Sequence, residues 1–243
     1  MYFQKLEPDK PFGLRLPKVT RYLSLQNVDA FFATGAIQLA PMDRFRQHPD
    51  EICRDEAEGR PMVEIIHRQL PPTLMAYHGF EGTPYVLCGS MIEDELTAKR
   101  FGKAAGIHII QPVGFFAALS HKIPRVQGGL MGPCNYSLER ATAADPAPFL
   151  RLRETYTEEE WAREYERAMA SANATAQDAL FRKGSAYSAD AEFRFIWFSG
   201  QLSNDYLVVE CPDAVQFCRR FPLPSYEQRR EESDELSTPP AAL

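Results

Sequence analysis

The chain lacks most of the short signatures that would place an enzyme in a class. Its five cysteines, Cys53, Cys88, Cys134, Cys211 and Cys218, form no CxxC pair and are odd in number. That pattern favours reduced thiols over a disulfide framework. The five histidines, His48, His67, His78, His108 and His121, have no helical spacing, so a zinc-hydrolase helix is not encoded. Neither GxxxxGK[ST] nor GxGxxG occurs, and the calcium-loop spacing is missing, so there is no fingerprint for a phosphate cradle or a calcium site. Cys88-Gly89-Ser90-Met91-Ile92 lacks the second glycine of a serine-hydrolase elbow. Carboxylates are plentiful, but nothing in their spacing selects a glycosidase pair. Basic residues are outnumbered, 27 against 33 acidic, for a net charge of -6, which disfavours a general nucleic-acid binder. No apolar run is long enough to span a bilayer, and residues 1–20 lack the apolar core of a signal peptide. The expectation is a cytoplasmic protein without a membrane partner.

What is present suits a globular core: 44% of residues are apolar and 12% aromatic. Length and composition predict one α+β domain over residues 1–224, with the helical segment 155–183 a possible insertion. Residues 225–243 are charged and then proline-rich, the composition of a disordered tail. Residues 5–18 read as an extended arm, and Lys18–Leu23 as a strand. Ser24 is placed to cap a helix whose apolar stripe is Leu25, Val28, Phe31 and Phe32, and Gly35 to end it in the left-handed conformation. Ala36–Ala40 alternates as a strand up to Pro41. Asp50–Glu58 is an acidic cluster, read as a solvated loop.

Further along, Pro61–Gln69 reads as a short helix, and Leu74–Tyr77 and Pro84–Cys88 as strands. Ile92–Lys103 reads as a helix with Ile92, Leu96 and Phe101 on its apolar face. Acids at its start and bases at its end suit the helix dipole. Ile107–Ile110 reads as a strand and Pro112–Leu119 as a helix. Gln127–Pro133, with three glycines, is expected to be a loop, and Ala141–Pro148 a linker. Thr157-Glu158-Glu159-Glu160 is a capping box opening a helix toward Phe181, with Gly184 as its stop. Tyr206–Glu210 is the expected hairpin partner of the strand before it, and Pro212 opens a short helix ending near Arg220.

That preceding strand, Tyr187–Phe198, is the most informative stretch. At period two, Phe193, Phe195 and Trp197 share one face, and Glu192, Arg194, Ile196 and Phe198 the other. Charges set among so many aromatic residues must be paired, hydrated through a cleft, or in use.

Three separated segments together resemble a known group. The run Arg21-Tyr-Leu-Ser, then Leu39-Ala-Pro-Met-Asp-Arg-Phe45 with acids behind it, then Tyr187-Ser-x-x-x-Glu-Phe-Arg-Phe, resembles bacterial and phage proteins that share a domain of unknown function. That group has a tyrosine-rich first strand, a Ser-Pro-x-x-Phe-Asn-Asp-Pro-Phe-Glu segment and a late Glu-aromatic-Arg strand. Phe45 fits the pattern, whereas Arg46–Glu51 departs from it. The order Arg, Ser, Glu on three strands is also similar to the ADP-ribosyltransferase arrangement. The resemblance implies a mixed, mostly antiparallel split sheet with flanking helices. It implies NAD as substrate and a toxin, effector or phage-encoded modifier. It makes Arg21, Ser90 and Glu192 the catalytic candidates. Arg21, Tyr22, Ser90, Tyr85, Phe101 and Arg194 become nucleotide-binding candidates, with an aromatic ring among them stacking on the nicotinamide.

Two other readings stand beside this one. The chain is a non-enzymatic accessory protein that binds a partner through an acidic surface, with Glu192 and Arg194 merely paired. Or it is a metal-dependent nuclease using Asp50, Glu51, Asp55 and Glu192. No metal is expected on the first two readings.

Overall fold

A computed structural model describes residues 16–47, 62–65, 74–77, 84–93, 95–103, 105–138, 141–144, 157–160, 162–163, 177–178, 180–200 and 205–222. In chain order the leading elements are β1 (Val19–Leu23), α1 (Leu25–Thr34), β2 (Ala36–Pro41), β3 (Met62–Ile65) and β4 (Leu74–Tyr77). Next come β5 (Tyr85–Ser90), α2 (Glu95–Arg100), β6 (Ala105–Ile109), α3 (Pro112–Ser120), β7 (Val126–Pro133), β8 (Asn135–Ser137) and β9 (Ala141–Ala144). The last are β10 (Arg182–Gly184), β11 (Glu192–Ser199), β12 (Leu207–Glu210), a helical turn at Pro212–Val215, and β13 (Cys218–Pro222). The class is α+β, with one mostly antiparallel sheet and a few helices.

Local chemistry sets the first elements. Ser24 accepts the Asn27 N–H at 3.3 Å and starts α1. Gly35, at φ 73°, closes α1 by donating its N–H to the Phe31 carbonyl at 2.7 Å. A β-carbon at Gly35 would lie 2.1 Å from the Cys211 carbonyl carbon, so conformation and space both demand glycine there. Val28 and Phe31 face the core, but Leu25 does not; it is 60% exposed.

The main sheet has eight strands in the path β12-β2-β5-β1-β6-β13, with β11 and β7 continuing from β5. All its pairings are antiparallel. One edge of β5 pairs continuously with β11, from Trp197 opposite Tyr85 to Glu192 opposite Ser90. The other edge is divided. β2 takes its start, pairing Pro41 with Tyr85 and Ala40 with Val86, and β1 takes its end, pairing Thr20 with Ser90. β1 and β2 therefore diverge along β5, leaving Leu87, Cys88 and Gly89 outside either ladder on that edge. The small sheets are β10 with β8, parallel, and β4-β3-β9.

One face of the main sheet carries the core. Phe193, Phe195 and Trp197 pack with Phe31, Phe115 and Leu119 of the helices. Phe116 stacks on Trp197 with ring centroids 4.9 Å apart, and the Trp197 indole N–H donates to Ser120 Oγ at 2.9 Å. Burying aromatic rings of this size supplies most of the driving force for folding. A smaller cluster of Met42, Val86, Leu180 and Ile196 covers part of the opposite face. The alternation expected of Phe193–Phe198 is thus the arrangement found.

Several expectations are corrected. Residues 62–65 form strand β3 instead of a helix, because they pair with both β4 and β9. The glycine-rich segment 126–133 is a strand: β11 offers a full edge and β7 fills it. Part of the expected linker, Ala141–Ala144, pairs with β3. Tyr206–Glu210 supplies β12, but β12 pairs with β2 and not with β11, both of whose edges are taken. Strand β11 begins at Glu192, and Ser185–Asp190 ahead of it is a 3-10 helix. Helix α2 is shorter than expected: Ile92 lies before it and Leu96 within it, and they face solvent at 40% and 78% exposure. After the Pro212 turn, Cys218–Arg220 belongs to β13. The capping box is present: Glu160 accepts the Thr157 N–H at 3.0 Å, and Thr157 Oγ1 accepts the Glu160 N–H at 3.3 Å. The acidic cluster 50–58, all of 1–15, most of the helix expected over 157–181 and the tail 225–243 lie outside the described residues.

Candidate functional site

A cleft of about 540 Å³ opens where β1 and β2 part. Thr20, Arg21 and Tyr22 of β1 line one side, Gln38, Ala40, Arg44 and Phe45 the other, and Cys88, Gly89 and Ser90 the floor. Phe101 and Lys103 border it after α2, and Lys183, Asp190 and Glu192 close the far wall. The pairing register explains the convergence. Glu192 stands opposite Ser90, Ser90 opposite Thr20, and Thr20 opposite His108, so one rung crosses four strands. In antiparallel pairs such neighbours share a face with β-carbons about 5 Å apart.

Arg21, Ser90 and Glu192 therefore border the same cavity, although about 70 and 100 residues of chain separate them. Each is held differently. The Arg21 guanidinium donates from Nη1 to the Cys88 carbonyl at 2.6 Å, one of the β5 groups released by the divergence. Its Nε is buried without a hydrogen-bond partner, and it has no carboxylate partner among the described residues. Burial holds its pKa below the ordinary arginine value. A guanidinium that meets no counter-charge among the described residues has the chemistry to pair with a carboxylate or phosphate.

Ser90 is already engaged. Its hydroxyl donates to the Asp190 carbonyl at 2.7 Å and accepts the Ile92 N–H at 3.0 Å, so it braces the turn that presents Asp190. Glu192 is a buried carboxylate gripped from both sides. Oε1 accepts from Arg194 Nε at 2.5 Å and Oε2 from Lys183 Nζ at 2.5 Å. Burial works to raise its pKa, but the two cations outweigh burial and hold it well below the usual carboxylate range. Its backbone N–H donates to Tyr136 Oη at 2.6 Å, and burial pushes the Tyr136 phenol up to about 12.

The remaining nucleotide-binding candidates divide. Tyr22 and Phe101 both line the cleft with ring centroids 6.3 Å apart, and Tyr22 Oη donates to the Ile92 carbonyl at 3.1 Å. Tyr85 and Arg194 do not line it. Tyr85 is packed in the main core. Arg194 is buried between Glu192 and the Leu180 carbonyl, to which its Nη1 donates. Both are corrections with one cause: β5 and β11 turn these side chains to interior positions.

Sequence reading missed Asp190. It lines the cleft beside Glu192, pairs with Arg100, and lies 3.9 Å from Lys183. Burial raises its pKa against the pull of Lys183 and Arg100. Between the two acids, Ala191 adopts φ 41°, left-handed backbone that a β-carbon disfavours. The available signal was the period-two spacing Asp190-x-Glu192 at the head of the strand. On the opposite wall, Arg44 lies over the Tyr206 ring at 5.7 Å and pairs with Asp205 at 3.3 Å. Of the nuclease candidates, Asp50, Glu51 and Asp55 lie outside the described residues. Among the described residues no group of three or more metal-ligating side chains occurs, and no helix is long and apolar enough to cross a membrane.

Compared with protein-family models, curated proteins and solved structures, the chain matches none of them.

Proposed function

We propose that the cleft between β1 and β2 binds NAD, and that the chain is an ADP-ribosyltransferase-like protein with the corresponding split sheet. The observation that carries this reading is the convergence of Arg21, Ser90 and Glu192 on one cavity at the divergence of the strands. Four cations, Arg21, Arg44, Lys103 and Lys183, line that cavity against two acids, Asp190 and Glu192, in a chain of net charge -6. Such a surplus suits a ligand that carries phosphate. Tyr22 and Phe101 supply ring faces for the nicotinamide.

In this reading Arg21 takes a phosphate oxygen. The Glu192 carboxylate accepts a ribose hydroxyl through a remaining lone pair and opposes the positive charge that grows as nicotinamide departs. Asp190, whose environment favours the proton more than that of Glu192, takes the proton of the incoming acceptor. Neighbouring carboxylates whose surroundings push their proton affinities apart are suited to two such roles. The test is release of nicotinamide from NAD by the purified chain. Asp190→Asn should lower it 10²–10⁴-fold, the usual range for a general base. Release that is unchanged in Asp190→Asn and Arg21→Gln would remove the proposal.

One observation favours a second reading, a non-enzymatic protein that binds a partner through its acidic surface. Both Glu192 oxygens and the Ser90 hydroxyl already have protein partners, the state of a structural network. On this reading NAD gives no thermal shift at millimolar concentration, and Glu192→Gln does nothing but destabilise.

A further inference from the structure

The last strand delivers the chain to the rim of the cleft. Pro222, at the end of β13, stands opposite Ala105 of β6, and Ala105 stands opposite Leu23 of β1, which lines the cleft. Neighbouring strands lie about 4.8 Å apart, so the Pro222 backbone is about 10 Å from that wall. One rung earlier the Phe221 ring meets Tyr22, another lining residue, edge to face with centroids 6.4 Å apart. Phe101 and Lys103, just ahead of β6, border the same opening. Whatever follows Pro222 therefore starts beside the cleft.

That continuation carries the charge opposite to the cleft's. Residues 223–243 contain Glu227, Glu231, Glu232, Asp234 and Glu235 against Arg229 and Arg230, and four of the five acids fall within 231–235. The cleft has the reverse balance, Arg21, Arg44, Lys103 and Lys183 against Asp190 and Glu192. Among the described residues Arg21 has no carboxylate partner and Lys103 no ion pair, and Lys103 is exposed. Only Tyr226 and Leu236 are apolar between 225 and 236, so charge and not burial directs where this segment goes. We propose that Glu231–Glu235 docks in the mouth of the cleft of its own chain, its carboxylates pairing with Lys103 and Arg21, and competes there with the cleft's anionic ligand. Glu231 is nine residues beyond Pro222, a length that spans at most ~30 Å and so covers the distance with slack. A short tether supplies an effective concentration of about millimolar, so a contact too weak to hold between separate molecules is populated within one. It lowers the apparent affinity of an incoming anion by the fraction of chains left open. Asp50–Glu58 is the less dense alternative, five acids over nine positions with Arg54 among them. The docking needs only an acidic run and a basic opening, and it stands or falls separately from NAD.

The test treats the full chain with a zero-length carbodiimide, which joins a carboxylate to an amine in contact with it. The expected product is a link, within one chain, from Lys103 Nζ to one of Glu231, Glu232, Asp234 and Glu235, located by peptide mass spectrometry. Saturating inorganic pyrophosphate should suppress the link, as should 1 M NaCl, where screening acts within ~3 Å. Arg21→Gln should weaken it several-fold. A full-length variant carrying Glu231→Gln, Glu232→Gln, Asp234→Asn and Glu235→Gln, its fold verified by circular dichroism, should bind pyrophosphate ~2–10-fold more tightly than wild type in calorimetry. Links to Lys103 only from Asp50–Glu58, links only between isotopically distinct copies, a link that persists in pyrophosphate, or no link to Lys103 would each overturn the docking. Pyrophosphate that binds both forms equally, or neither, would overturn it as well. NAD enters none of these measurements, so failure here leaves the NAD reading untouched, and nicotinamide release leaves the docking untouched.

Discussion

Replacing Glu192 with glutamine removes one negative charge from a site where three charged side chains are almost wholly shielded from water. The side chains of Glu192, Lys183 and Arg194 are 8%, 8% and 2% exposed, and each cation meets a different carboxylate oxygen at 2.5 Å. The neutral amide can satisfy only part of that geometry, and it leaves two cations in low dielectric. Lys183 keeps Asp190 at 3.9 Å and the Tyr187 ring at 4.9 Å, and Arg194 keeps the Leu180 carbonyl. Removing one partner of a buried ion pair typically costs about 3–5 kcal/mol. The held-down carboxyl points the same way, because against the effect of burial Arg194 and Lys183 favour its ionised form. A loss of about 3–5 kcal/mol corresponds, for a domain of this size, to a melting temperature ~6–20 °C lower. Urea unfolding at pH 7, followed by tryptophan fluorescence and far-ultraviolet circular dichroism, measures it. A companion variant, Glu192→Gln with Lys183→Met, removes one of the two cations and should recover part of the loss. A single-variant cost below about 1 kcal/mol would refute the claim that this network is dry and tightly coupled.

Acid should act on the same network. A carboxyl depressed in the folded state contributes stability fully present above its unfolded pKa of 4.5 and lost as pH falls toward its folded value of about 2. Stability should therefore fall through that window, partly offset by Asp190, whose raised pKa works in the opposite direction. Glu192→Gln should flatten the profile; an unchanged slope would contradict the assignment. Arg21→Gln should leave the melting temperature within a few degrees of wild type, since its loss breaks no described ion pair, while removing any shift produced by NAD. A shift that persists in this variant places the phosphate elsewhere. Gly35→Ala should cost more than the ~1 kcal/mol typical of a strained left-handed position, because the new methyl would meet the Cys211 backbone at 2.1 Å. Chemical denaturation that finds it neutral would show that this corner yields.

Elements whose evidence is local could be read in advance. The Ser24 cap, the Gly35 stop, the alternation of β2 and of Phe193–Phe198, and the Thr157 capping box depend on residues within one or two turns of each other. The failures share a different cause. Val126–Pro133 has the glycine content of a loop, yet it is a strand because β11 leaves an edge that only this segment fills. Tyr206–Glu210 is a strand as expected, but its partner depends on which edges the rest of the chain has already occupied. Ile92 and Leu96 have the spacing of a buried helical face, yet α2 begins only at Glu95, so Ile92 lies outside it, and both are exposed.

At the site, the sequence by itself determined which chemical groups exist: an arginine and a tyrosine on an early strand, a serine at the end of a middle one, and two acids at the head of a late one. Side-chain identity and period-two alternation are written along the chain, and they needed no partner to be read. Which groups meet was decided only by the tertiary structure. The β5 register puts Glu192, Ser90 and Thr20 in one rung, and the divergence of β1 from β2 opens the cleft beside them. Register is fixed by burying the aromatic face of β11 against helices from elsewhere in the chain, a condition that no local spacing encodes. For the same reason Arg194 became the counter-ion of Glu192 instead of a wall of the cleft, and Asp190, Lys183 and His108 acquired neighbours their own segments could not announce.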